Sequence, residues 1–256
     1  MKYVLAVSYD GTHFAGWQIQ KNERTVQGEL EKAAFEIFEK ETKIRGSGRT
    51  DAGVHALFQV CEFEAETNIP AEKLRECFNR ILPPDLSVVK SAAAPEGFDC
   101  TTEQKKKIYA YRAYFSEAAL PLHERYKTRL LQKPDLERMQ KAAKLLVGRH
   151  DFKAFSATGS SAKTSEREIL SIQVREREQN GALHYEIEVC GHGFLYNMVR
   201  IIAGELFAIG FGKEDTVMKR ALETGQRSLL AKTMPAKGLV LVDTQYDVPL
   251  FNKDGE

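Results

Sequence analysis

The sequence predicts an α/β fold of the α+β kind, built as two similar halves over residues 1–104 and 105–256. Three observations carry that reading. Residues 2–92 run strand, helix, strand, helix, strand, each with its own hydrophobic period. Residues 106–246 repeat strand, helix, hairpin, helix and strand. A chain of 256 residues with 43% hydrophobic content can also bury one large core or two interlocked ones.

Composition narrows the function classes. Lys plus Arg number 37 against 36 for Asp plus Glu, so any polyanion binding must come from charge clustered on one surface. The start, Met1-Lys2-Tyr3-Val4, enters a strand pattern with no secretory apolar region, and no apolar run reaches membrane-spanning length. The expected location is the cytoplasm, with no membrane partner. Cys61, Cys77, Cys100 and Cys190 are scattered without a CxxC pair, and three of them sit in apolar patterns that suggest buried thiols. Neither a disulfide framework nor a metal site is expected.

Lys2 to Asp10 alternates and forms the first strand, ending in Asp10-Gly11. Phe14-Ala15-Gly16-Trp17-Gln18-Ile19-Gln20 sets the single tryptophan beside glycine and two glutamines. That suits a loop packed on something planar, or a tryptophan that lids the core. Thr25 caps a helix whose stripe is Val26, Leu30, Ala33, Ile37 and Phe38, running to about Glu39. In Leu57 to Ala65, Cys61, Phe63 and Ala65 alternate with Glu62 and Glu64, a half-buried strand. Pro70 opens a second helix with Leu74, Cys77, Phe78, Ile81 and Leu82 inward, closed by Pro83-Pro84. With the strand Leu86 to Ala92, the order is a split βαβ, ferredoxin-like half.

The second half opens on the strand Lys106 to Phe115, where Tyr109, Tyr111, Ala113 and Phe115 share one face. Lysines 105 to 107 lead into it. Charge for phosphate beside rings for bases is what a flipped or single-stranded nucleotide needs, although a tyrosine-rich core strand with a solvated lysine run reads the same way. A helix follows with Leu136, Met139, Ala143 and Leu146 inward, ending at Gly148. Arg149 to Phe152 then leads into the polar loop Ser156 to Glu166, long enough to move over a substrate or to lie passive on the surface. A hairpin turns at Asn180-Gly181 between Leu170, Ile172 and Val174 and the return Leu183, Tyr185, Ile187 and Val189. From Leu195 to about Ile209 the chain is an apolar helix carrying Arg200, which needs a carboxylate partner such as Asp51 or Glu205, or an exposed stripe. A helix around Asp215 to Thr224 and a strand Val240 to Tyr246 close the chain. The halves are thus ferredoxin-like, or RRM-like, with antiparallel sheets expected to abut around a central cleft.

The chemistry concentrates in Gly46-Ser47-Gly48-Arg49-Thr50-Asp51-Ala52-Gly53-Val54-His55-Ala56. Three glycines, an acid, a base and a histidine lie between a helix and a strand. The glycines permit positive φ and close backbone approach, while Thr50 and Asp51 can bond their own turn. On spacing alone a glycine turn with a surface Arg/Asp pair fits equally well. A phosphate loop fits less well, because neither the dinucleotide glycine spacing nor a Gly-Lys-Ser/Thr follows.

The wording of Arg49 to Ala56 resembles the signature of the tRNA pseudouridine synthase A family, with the family's obligatory carboxylate at Asp51. Four further stretches resemble the same family in order: Tyr9 to Gln20, Lys105-x-Lys107-x-Tyr109-x-Tyr111, Gly193-Phe194 through Met198-Val199-Arg200, and Thr233-x-Pro235-Ala236-x-Gly238-Leu239. The resemblance spans nearly the whole chain. It implies isomerisation of uridine at positions 38 to 40 of the tRNA anticodon arm by a homodimer, with no cofactor. It also implies Asp51 as nucleophile, Arg200 paired with it and Tyr109 against the base. Arg49, Gly53, His55, Lys105 and Lys107 are assigned to substrate binding, with Arg45 and Lys163 as further phosphate contacts.

The chain departs from the family wording twice: Phe98-Asp99-Cys100-Thr101 lacks an expected arginine, and His192 replaces a more usual asparagine. These bear on substrate range and leave the catalytic trio intact. One carboxylate suffices for isomerisation, since the C1′–N1 bond can break and the uracil rejoin through C5, whereas ordinary glycoside hydrolysis calls for two. Two other readings are a non-catalytic RNA binder, to which Asp51 is dispensable, and a nucleoside glycosidase, which would release free uracil.

Overall fold

The computed structural model describes residues 1–159 and 162–251. It forms two compact units, Met1–Lys105 together with the segment from Leu241 on, and Lys106–Val240. Each unit is α+β with a mostly antiparallel sheet, as the sequence predicts.

The first unit contains β1 (Lys2–Tyr9), α1 (Val26–Phe38), β2 (Arg45–Gly46), β3 (His55–Glu64), α2 (Leu74–Asn79) and β4 (Leu86–Ala93). β1 lies between β3 and β4, antiparallel to both, with Leu5 opposite Cys61 on one side and Ser91 on the other. β2 pairs with the far edge of β3. The order β4-β1-β3-β2 is that of a split βαβ unit whose second strand is cut to two residues. Thr25 has extended φ and ψ, and its hydroxyl accepts the Gly28 N–H at 3.2 Å; the helix then buries Val26, Leu30, Ala33 and Ala34.

β3 differs from its expected half-burial. Glu62 is 3% exposed. It lies in the core because Arg45 closes on it as an ion pair and its Oε2 accepts the Cys100 N–H at 2.8 Å. The burial of Cys61 and Cys100 follows from the same packing, while Cys77 and Cys190 are only partly covered.

The second unit contains β5 (Gln104–Phe115), α3 (Pro121–Glu124), β6 (Thr128–Leu130), α4 (Leu136–Ala143), β7 (Gly148–Asp151), β8 (Glu166–Gln179), β9 (Ala182–Gly191), α5 (Met198–Gly210) and α6 (Thr216–Thr224). Its sheet runs β5-β9-β8-β7, with β6 parallel on the outer edge of β5. Asn180 and Gly181 turn the β8–β9 hairpin with φ of 51° and 73°, the pair of positive values that a two-residue turn of the primed type requires. Tyr111 and Tyr185 meet Phe207 of α5 edge-on, at 6.4 and 6.3 Å between ring centroids. The segment expected to be a free polar loop is tied at both ends, by Phe152 N–H to Ser165 O at 3.0 Å and Ala157 N–H to Tyr196 O at 3.1 Å. Ser160 and Ser161 of that loop lie outside the described residues.

The last strand, β10 (Leu239–Tyr246), corrects the expected boundary. From Leu241 on it belongs to the first unit, where it neighbours β3. Leu250 joins Val4, Val60, Phe98 and Cys100, and the Tyr246 hydroxyl donates to Cys100 O at 2.7 Å. These contacts supply the sheet edge that the two residues of β2 leave unfilled.

Arg24 and Asp85 brace the first unit by a two-pronged pair at 2.7 and 2.8 Å. The Asp85 carbonyl also accepts the Asp10 N–H at 3.0 Å, and the guanidinium lies 4.2 Å from the centre of the Phe14 ring. The hydrogen bond from Arg24 holds the Asp85 carboxyl below its ordinary value. Its stabilising effect is therefore complete above the unfolded value of about 3.9 and fades as pH falls through the lower folded one. Asp85→Asn should cost about 1 kcal/mol at neutral pH, the pair being partly exposed, with the gap to the parent closing on acidification. Urea unfolding of both proteins across that pH range would show it; equal stability at neutral pH would refute it.

Candidate active site

Asp51 lies in the turn that joins β2 to β3 and is half-buried. The turn closes by a Val54 N–H to Asp51 O bond at 3.1 Å, with Gly53 at φ 77° donating its N–H to Phe14 O at 3.2 Å. The sequence-predicted Gly53 therefore acts through its backbone.

The segment from Asp10 to Trp17 lies directly against this turn. Trp17 donates its N–H to Thr50 O at 3.1 Å. A Cβ on Gly16 would come within 2.6 Å of that same oxygen, and one on Gly46 within 2.4 Å of the indole. Trp17 is thus buried within its own unit, the second of the two readings the sequence allowed. His55 is 6% exposed; its Nδ1 accepts the Gly11 N–H at 3.0 Å and lies 3.2 Å from Asp10 Oδ1. It ties the two segments together from beneath, and Arg49 alone of the turn's charged residues is exposed.

Beneath the turn runs a set of buried polar contacts that sequence reasoning missed. Tyr9 Oη lies 2.7 Å from Thr50 Oγ1 and donates to Gln59 Oε1 at 2.5 Å. Gln59 Nε2 donates to Gly48 O at 2.8 Å. The available signal was Gln59 itself, a polar residue in an otherwise apolar stretch of β3.

In the second unit, Tyr109 is 9% exposed on β5 and meets Phe194 edge-on, with centroids 5.3 Å apart. Arg200 sits in the first turn of α5. Its Nε donates to Met234 O at 2.7 Å and its Nη1 to Asn197 Oδ1 at 2.6 Å. These two bonds orient the guanidinium. Glu205, one of the partners considered for it, is instead bound by Lys213 Nζ and the Ala231 N–H at 2.6 Å. The Thr233 to Leu239 motif now has a physical role. Met234 supplies the acceptor for Arg200, Pro235 O accepts from Tyr111 at 2.9 Å, and a Cβ on Gly238 would lie 2.6 Å from the Tyr111 ring.

The expected phosphate contacts fare unequally. Lys105 is exposed and paired with Asp247 at 2.8 Å, whereas Lys107 is buried, 8% exposed, on the strand face of Tyr109 and Tyr111. Arg45 is held by Glu62 and Asp99, which push its pKa up, with Glu62 the larger cause. Thr101, in place of the expected arginine, donates its hydroxyl and N–H to Asp99 Oδ1 at 2.5 and 2.8 Å. These bonds, the hydroxyl's foremost, hold the Asp99 carboxyl well below the usual range. His192 is exposed, 3.5 Å from Glu168.

Known proteins share this organisation in sequence. A family model described as tRNA pseudouridine synthase matches residues 5–102 and 142–247. The chain is 39% identical over 246 residues to a tRNA pseudouridine synthase A of Ruminiclostridium cellulolyticum, covering 96% of this chain and 99% of the relative. It is 40% identical over 245 residues to that of Acetivibrio thermocellus, covering 94% and 98%. A Bacillus cereus protein named tRNA pseudouridine synthase A 2 is 37% identical over 246 residues, covering 95% and 99%.

Gly16 has φ 100° and no room for a methyl group. Gly16→Ala should cost about 2–4 kcal/mol, from left-handed strain plus displacement of the Thr50 carbonyl. Thermal unfolding would measure it, and a variant as stable as the parent would show that the turn can shift freely.

Proposed function

Because the chain belongs to the tRNA pseudouridine synthase family, we propose that this isomerase converts uridine to pseudouridine at positions 38, 39 and 40 of the tRNA anticodon arm. Asp51 is the nucleophile in this reading. The observation that supports it is the Asp51 turn, where a half-buried carboxylate is carried on a backbone fixed by Trp17, Phe14 and its own closing bond. A reaction that breaks and remakes a glycosidic bond needs such a group held in one place.

Uridine is flipped out of the arm, and the carboxylate attacks the sugar or the base as the C1′–N1 bond breaks. The freed uracil turns, C5 bonds to C1′ as the Asp51 carboxylate is released, and the C5 proton leaves while N1 takes one up, so the product has the mass of the substrate. Tyr109 supplies the ring that stacks on uracil and a hydroxyl able to relay that proton. Arg200 supplies the cation that keeps the carboxylate ionised. Arg49 and Lys105 serve the phosphates, while Gly53 and His55 shape the turn. The protein acts as a homodimer in the cytoplasm; among the described residues no helix is long and apolar enough to cross a membrane.

Tritium release from tRNA labelled at uracil C5, under single-turnover conditions, tests this reading. The intact protein should release tritium without free uracil, and Asp51→Asn should abolish release. Arg200→Met should move the acid limb of the rate profile to higher pH, because a carboxylate without its cation is easier to protonate. Free uracil would favour a glycosidase, and tRNA binding without release would favour a binding protein.

A further inference from the structure

The contacts beneath the Asp51 turn have a direction. A backbone carbonyl only accepts, so the Gln59 amide must present Nε2 to Gly48 O and Oε1 to Tyr9. Tyr9 has one hydroxyl proton and gives it to Gln59. In the 2.7 Å contact with Thr50, Tyr9 is therefore the acceptor and the threonine hydroxyl the donor. The chain runs Thr50 to Tyr9 to Gln59 to Gly48, and it begins and ends in the turn.

All three side chains are enclosed: Tyr9 is 4% exposed, Thr50 7% and Gln59 0%. In such surroundings each bond is strong and each lost partner costly. Thr50 immediately precedes Asp51. Its hydroxyl is held by Tyr9 and its carbonyl by Trp17, so the peptide entering Asp51 is fixed on both sides. Gly48 is fixed at the other end of the same loop. Tyr9 and Gln59 stand on β1 and β3, which are paired strands, so the loop inherits their rigidity.

We infer that Tyr9, Thr50 and Gln59 are positioning residues for Asp51, a one-way hydrogen-bonded clamp that sets where its carboxylate stands. The inference rests on Asp51 being the nucleophile. The clamp acts on the rate of the chemical step and not on tRNA affinity, because its members lie under the turn, away from solvent.

The test compares single-turnover tritium release at saturating labelled tRNA with the tRNA concentration for half-maximal rate. Tyr9→Phe removes two links and Thr50→Val one, each with little change of shape. Each should slow the saturated rate about 10- to 100-fold, the scale of an ångström-sized misplacement, with half-saturation changed less than about twofold. Thr50→Ser, which retains the donor, should recover most of the rate. Gln59→Glu supplies a second, independent sign. An ionised carboxyl has no proton for Gly48 O, so this variant should be slow at high pH and regain rate as acidification protonates the introduced group.

If the parent releases tritium and the folded Tyr9→Phe and Thr50→Val variants match it within about twofold, the clamp is overturned while the isomerase reading stands. A loss confined to half-saturation, or a serine variant no faster than valine, would overturn it too. Should Tyr9→Phe fail to fold, the threonine pair and the glutamate pH profile decide the matter. If the parent itself releases no tritium, the isomerase reading fails first, and that outcome is distinct from failure of the clamp.

Discussion

The first unit depends on two stretches of chain packed closely against each other, backbone on backbone at two glycines and indole on backbone at a third. The segment Asp10 to Trp17 and the turn carrying Asp51 touch through Gly11, Gly16 and Gly46, where added carbons would fall 2.0, 2.6 and 2.4 Å from Val54 O, Thr50 O and the Trp17 ring. Contact that close fixes both stretches at once. Each provides the hydrogen-bond partners that the other's buried backbone requires, so neither can move without leaving polar groups unpaired. Side chains beneath then finish the job, with His55 on one side and Tyr9, Thr50 and Gln59 on the other.

The second unit solves a comparable problem by another route. Arg200 is held by a carbonyl and an amide oxygen, and these two bonds orient it. The carbonyl comes from Met234, far along the chain, and the same short stretch receives the Tyr111 hydroxyl. Gly204 makes room for it, since a Cβ there would meet Lys232 O at 2.3 Å. A motif that looks like a loop connection in the sequence is thus the brace for a cation.

Long periodic elements were legible in the sequence, and short ones were not. Thr25, the α1 stripe, the β8–β9 turn and the apolar α5 all announce themselves by local rules of capping, period and turn chemistry. β2, β6 and β7 span two to four residues and have no period to read; they exist only because a longer neighbour offers an edge. Glu62 misled for a related reason. Alternation marks it as solvent-facing, and partners distant in sequence, Arg45, Lys2 and the Cys100 N–H, let it enter the core. Of the proposed site, Asp51, Tyr109 and Arg200 rest on wording, whereas Trp17's burial and the contacts of Gln59 depend on which strands pair. The same limit explains Arg45 and Lys107, read as phosphate contacts although two carboxylates hold one and burial covers the other.

The first unit is discontinuous, and that shapes its birth on the ribosome. Its sheet lacks β10 until residues from Leu241 on have been made, which is after the entire second unit has been translated. Synthesis at roughly 5–20 residues per second leaves β3 with an open edge for several seconds or more. During that interval only the two residues of β2 cover it, and the nascent chain offers an edge to any passing strand. A premature stop just before Leu241 would therefore be more damaging than the short length it removes suggests. It would strand a nearly finished first unit without the strand that seals it.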